Sequence, residues 1–130
     1  MLLEDYINEL ESDLKIDELI LKDYQLKLPG IKHKWTGRCI RHKLQLFQIK
    51  KDRETIKKNL VDKLQQASPV KLAQPVAERT VEKHSEILEI DSKIKELDLI
   101  VELLERSEKT FSSTSYDIKN IIDIIKLETT

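Results

Sequence analysis

Residues 87–104 read ILEIDSKIKELDLIVELL, and apolar side chains at Ile87, Ile90, Ile94, Leu97, Val101 and Leu104 recur in alternating steps of 3 and 4. Steps of that size keep one side of a helix apolar, whereas a half-buried strand alternates at every second residue. The stretch makes nearly three heptads, with Phe111 one heptad beyond Leu104 and Glu108 interrupting the seam between them. A helical seam this regular sets the expectation for the rest of the chain.

Working outward, composition agrees with the seam. Of 130 residues, 36% are charged, against a typical quarter, while 39% are hydrophobic. Two glycines, three prolines and 5% aromatics disfavour a sandwich, a barrel or a Rossmann unit. The length suits one domain with a modest core. The expected class is all-α: an elongated helical hairpin with a long basic central helix and short C-terminal amphipathic helices, assembling into an oligomer.

Upstream, Leu3, Ile7 and Leu10 share a helical face that Ser12-Asp13 punctuates, and Asp17 is placed to cap the next helical turn. Leu21, Tyr24 and Leu28 continue at helical spacing until Pro29-Gly30, where a kink or break is expected because proline supplies no amide. From Ile31 to about Gln66 the positions Trp35, Cys39, Leu46, Ile49, Ile56, Leu60 and Leu64 predict a second, long helix. The segment 67–79, ASPVKLAQPVAER, holds two prolines and reads as a linker. The organisation is therefore N-terminal helices over 1–66, including the basic helix 31–66, the linker 67–79, and a C-terminal helical oligomerisation region over 80–130. Within the last, SSTS at 112–115 is expected to end one helix, with Thr114 capping another that carries Ile118, Ile121, Ile122 and Ile125. Those four isoleucines are the expected contact between subunits.

Charge is unevenly spread. The formal total is -1, yet residues 32–63 hold eleven basic groups against three acidic ones, and the segments on either side are acidic. Lys43, Lys50, Lys51, Arg53, Lys57 and Lys58 are the candidate DNA-binding residues, since cations on a helical frame neutralise phosphates without reading bases. Two alternatives stand beside this: a solvated helix face, or a complement to the acidic residues 1–28. Trp35 is either DNA-proximal or core, and a tryptophan supplies large area wherever it is buried.

Enzymatic chemistry finds little support. His33, His42 and His84 have no partners at metal-motif spacing, Cys39 reads as a small buried hydrophobe, and two glycines cannot build a phosphate loop. No catalytic residue, metal or cofactor is expected. One cysteine, no signal-like N-terminus and no long apolar run lead to the expectation of an intracellular, soluble protein with no membrane partner.

The order of several short motifs resembles the UvsY family of phage recombination mediators. Leu3-Glu4-Asp5, Glu9-Leu10, Asp13 and Ile16-Asp17 resemble its opening, Lys34-Trp35 its Lys-Trp pair before a long basic helix, and Ser85-Glu86 with Ile118-Lys119 and Ile122 its closing region. The resemblance spans nearly the whole chain. It implies a non-enzymatic mediator that binds single-stranded DNA, helps displace the phage single-strand-binding protein and loads a RecA-like phage recombinase. It also implies a ring-like homo-oligomer in the cytoplasm of the infected bacterial host. The family's Lys-x-Arg pair falls on Lys58 and Leu60, so the arginine is missing, while Arg53 and Lys57 lie about a turn away. The competing expectation is a coiled-coil scaffold or adaptor that does not bind DNA.

Overall fold

The computed structural model describes residues 2–129, and every regular element among them is helical. Helix α1 spans Leu2–Leu14, a single 3-10 turn spans Glu18–Ile20, α2 spans Leu21–Ala67, α3 spans Gln74–Val81 and α4 spans Ser85–Thr129. Asp17 begins the 3-10 turn as expected, its carboxylate accepting from the Leu19 amide at 2.9 Å. The chain divides into two compact units, one of residues 1–41 with 100–130 and one of residues 42–99.

In the first unit, Leu10 of α1, Tyr24, Leu28, Trp35 and Cys39 of α2, and Ile100, Leu104, Phe111 and Ile118 of α4 form one buried cluster. On α2 and α4 these positions lie 4 or 7 residues apart, so each helix contributes a single face. Trp35 is fully buried within this cluster, and Cys39 beside it is the small hydrophobe expected. Burying side chains of this size contributes about 1.5–3 kcal/mol each.

That burial explains why α2 does not stop at Pro29-Gly30. Of the kink or break expected there, the break is absent: the helix runs for 47 residues with Pro29 inside it. An interior proline costs about 3 kcal/mol. Leu28 on one side of it and Trp35 and Cys39 on the other are anchored in the same cluster, so continuity keeps more apolar area buried than a break would. Pro29 and Gly30 themselves are exposed, where water can reach the backbone of the preceding turn.

Likewise, SSTS does not end a helix. Helix α4 is continuous over 45 residues, so the expected separate short C-terminal helix is instead its last turns. The hydroxyls bond back along the same helix: Ser112 donates to the Glu108 carbonyl at 2.9 Å, Ser113 to Thr110 at 2.8 Å and Thr114 to Thr110 at 3.0 Å. Hydroxyls satisfied this way no longer compete for a cap. Thr114 is buried and caps nothing.

The second unit is smaller in its core. Val61 of α2 packs with Ala77 and Val81 of α3, and Leu60, Leu64 and Leu72 close around them. Only 68–73 of the expected linker is non-helical, because Pro75 sits in the first turn of α3, where a missing amide costs nothing. Gln65 fixes that short connection: its amide donates to the Leu72 carbonyl at 2.8 Å and accepts from the Leu72 amide at 2.9 Å. The heptad seam of α4 is inward as expected, with Ile87, Val101, Leu104 and Phe111 buried and Ile90, Ile94 and Leu97 half-buried.

Candidate nucleic-acid interface

Between Lys43 and Lys58, α2 is built mostly from good helix formers, with neither glycine nor proline. Leu46, Ile49 and Ile56 are half-buried, and this inward row turns the opposite side outward. Lys51 and Lys58 are exposed there, and Lys43 and Lys50 are exposed on its flank. Sequence-predicted cations thus line up on a rigid, solvated frame within the second unit.

Two of the six candidates are placed differently. Arg53 is largely covered and reaches α4, its Nε donating to Asp91 Oδ1 at 2.6 Å and its second nitrogen to Glu82 Oε2 at 2.7 Å. Lys57 Nζ meets the other Glu82 oxygen at 2.7 Å. Their mutual effects are visible in protonation. The Arg53 hydrogen bond holds Asp91 below the usual carboxylate range, while Glu82 is lowered first by Lys57 and then by Arg53. Arg53 and Lys57 are raised in turn, chiefly by Asp91 and Glu82 respectively. These two charges fix the helices of the second unit to one another.

The N-terminal end of the basic segment is also spoken for. Lys34 Nζ contacts Glu9 at 3.0 Å and Asp13 at 2.6 Å, and Arg38 contacts Glu9 at 2.6 Å. The Arg38 guanidinium lies over the rings of Tyr6 and Trp35, at 5.0 and 4.7 Å from their centroids. The alternative in which basic residues complement the acidic N-terminus therefore holds for Lys34 and Arg38. It does not describe Lys50, Lys51 or Lys58.

Phe47, which with Trp35 makes up the aromatics of the basic region and whose spacing sets it on or near the apolar seam, is placed differently. Phe47 is 57% exposed, and Lys51 Nζ lies 4.5 Å from its ring centroid. A signal for this surface exists in the sequence: no aspartate or glutamate occurs between Asp23 and Asp52, so Phe47 has lysines at i−4, i+3 and i+4 and no carboxylate within its preceding turns.

The four C-terminal isoleucines are not equivalent. Ile118 is buried in the core of the first unit, Ile121 and Ile125 are half-buried, and Ile122 is exposed. Beside Ile122 runs an open groove lined by Leu21, Lys22, Gln25, Leu26 and Lys126, with Ile124 and Leu127 exposed farther along α4.

Among the described residues no His, Cys, Asp or Glu group is arranged to hold a metal ion, and no helix is long and apolar enough to cross a membrane. Against known proteins, the family model described as "Recombination, repair and ssDNA binding protein UvsY" matches residues 9–130. Crystal structures of the bacteriophage T4 recombination mediator protein UvsY share the fold. Lattice type IV superposes with a TM-score of 0.85 at 20% identity, covering 98% of this chain and 99% of that one. Lattice type II gives 0.83 at 17% identity, covering 100% and 99%. No curated protein sequence matches significantly.

Proposed function

The chain belongs to the UvsY family, and from that premise we propose that it is a recombination mediator that binds single-stranded DNA along the exposed lysines of α2. In this reading the protein works by binding and carries out no chemistry of its own. The observation that carries the proposal is the display of Lys50, Lys51 and Lys58 to solvent while their neighbours Arg53 and Lys57 are held by Glu82 and Asp91. Charges left facing water exchange condensed counterions for phosphate contacts, and they do so without regard to base sequence.

In this reading Lys43 extends the same row, while Arg53 and Lys57 brace it and meet phosphate only by giving up a carboxylate. A DNA conformation held along such a row is one from which a single-strand-binding protein is helped to leave and on which a RecA-like recombinase nucleates. The setting implied is the cytoplasm of an infected bacterial cell. Self-association would multiply the few contacts each copy offers.

A salt titration of oligonucleotide binding tests the lysine row. Replacing Lys50, Lys51 and Lys58 together by alanine is expected to lower the slope of log affinity against log salt by about 2, at about 0.7 per phosphate contact on a single strand. Arg53→Ala is expected to lower it less and to weaken folding instead. A triple variant with wild-type affinity and slope would place the DNA elsewhere or remove it altogether.

A further inference from the structure

We propose that Phe47 is a base-stacking platform, so that α2 holds a single strand by its bases as well as its phosphates. The inference rests on the DNA-binding role proposed for the α2 lysines and adds a second kind of contact to it. Phe47 is an aromatic ring turned mostly to solvent, on a helix whose other large aromatics, Tyr24 and Trp35, are buried. Leu44, one turn earlier, is exposed beside it. An apolar pair left in water in this way is ready for a flat apolar partner.

Its surroundings select which partner. Lys51 lies over the ring, Lys43 and Lys50 are within one turn, and no carboxylate intervenes between Asp23 and Asp52. A second copy docking through the same face would set these lysines against their own counterparts, and like charges across a contact are unfavourable. A polyanion with aromatic bases suits both features: the base covers the ring while the ammonium groups take the adjoining phosphates. The cation–ring contact that the base displaces is weak at an exposed site. Stacking tolerates any base, because every base has a π-face.

The test compares oligothymidylate with an abasic oligonucleotide of equal length, using wild type, Phe47→Leu and Phe47→Tyr. Phe47→Leu is expected to bind oligothymidylate about 5- to 100-fold more weakly. Its salt slope and its affinity for the abasic strand should match wild type, and Phe47→Tyr should stay close to wild type on both strands. If Phe47→Leu binds oligothymidylate as wild type does, with the salt slope intact, stacking is refuted while the lysine row survives. If wild type binds neither strand in a salt-dependent way, the DNA-binding role itself has failed. A fall in native mass for Phe47→Leu in the absence of DNA would assign the ring to a contact between copies and overturn the proposal.

Discussion

Asp13, in the last turn of α1, holds three polar groups from α2. One carboxylate oxygen, Oδ2, accepts from Lys34 Nζ at 2.6 Å and from the indole Nε1 of Trp35 at 2.8 Å, while its main-chain carbonyl accepts from the Tyr24 hydroxyl at 2.6 Å. Trp35 is buried, so without Asp13 its N–H has no access to water, and a buried donor left unpaired costs about 1–3 kcal/mol. Asp13→Ala is expected to destabilise the fold by about that amount in urea denaturation. Tyr24 keeps its bond in the variant because its acceptor is the backbone, which makes Asp13→Ala a measure of the carboxylate alone; wild-type stability would mean that the indole finds another partner. The burial of Trp35 follows from its spacing with Tyr24, Leu28 and Cys39. Its partner lies 22 residues away on another helix, and no local pattern marks it. Phe47 illustrates the opposite difficulty. It adjoins Leu46 on the inward row, and one residue is about 100° of helix, enough to carry the ring from the seam to solvent.

At the scale of elements, helical periodicity was legible and helix ends were not. The seam from Ile87 to Phe111 and the row from Trp35 to Leu64 face inward as their spacing requires. Pro29-Gly30 and SSTS, by contrast, are local punctuation, and local preferences of about 1–3 kcal/mol yield when side chains on both sides share one core. The placement of Pro75 in a first turn rather than a loop depends on Ala77 and Val81 reaching Val61, a contact across the sequence. If α2 is continuous at Gly30 because of packing elsewhere, that glycine is a residual weakness. It lies on an exposed turn, and a Cβ built there meets nothing within 4 Å. Gly30→Ala is accordingly expected to stabilise the protein by about 0.5–1 kcal/mol, read from the denaturation midpoint at fixed protein concentration. A loss of stability would show that the backbone at residue 30 is not helical in solution.

For the molecule as a whole, folding sorts the cations that the sequence presents as a single block. Lys34, Arg38, Arg53 and Lys57 are joined to carboxylates, and Lys50, Lys51 and Lys58 remain outward, so under the proposed function each copy would offer only a few contacts to a phosphate chain. A few single-strand contacts give weak binding at physiological salt, and linking several copies raises it by effective concentration without any new contact. The groove beside Ile122 is the surface on which we propose that copies meet. It is apolar along Leu21, Leu26 and Ile122 and carries Lys22 and Lys126 with Asp123, a mixture of signs that permits a self-complementary contact. Its neighbour Ile118 has a different duty, being buried in the core of one copy. Two substitutions on the same helix therefore separate folding from assembly. Ile118→Asp places a charge among buried apolar groups and is expected to lower helical content and stability by several kcal/mol, on the order of 3 or more. Ile122→Asp should leave the circular dichroism and the denaturation slope of the isolated fold unchanged, reduce the mass found by light scattering, and weaken oligonucleotide binding without altering the salt slope per copy. Wild-type mass in Ile122→Asp would move the assembly surface off this groove, and with it the proposed origin of tight binding.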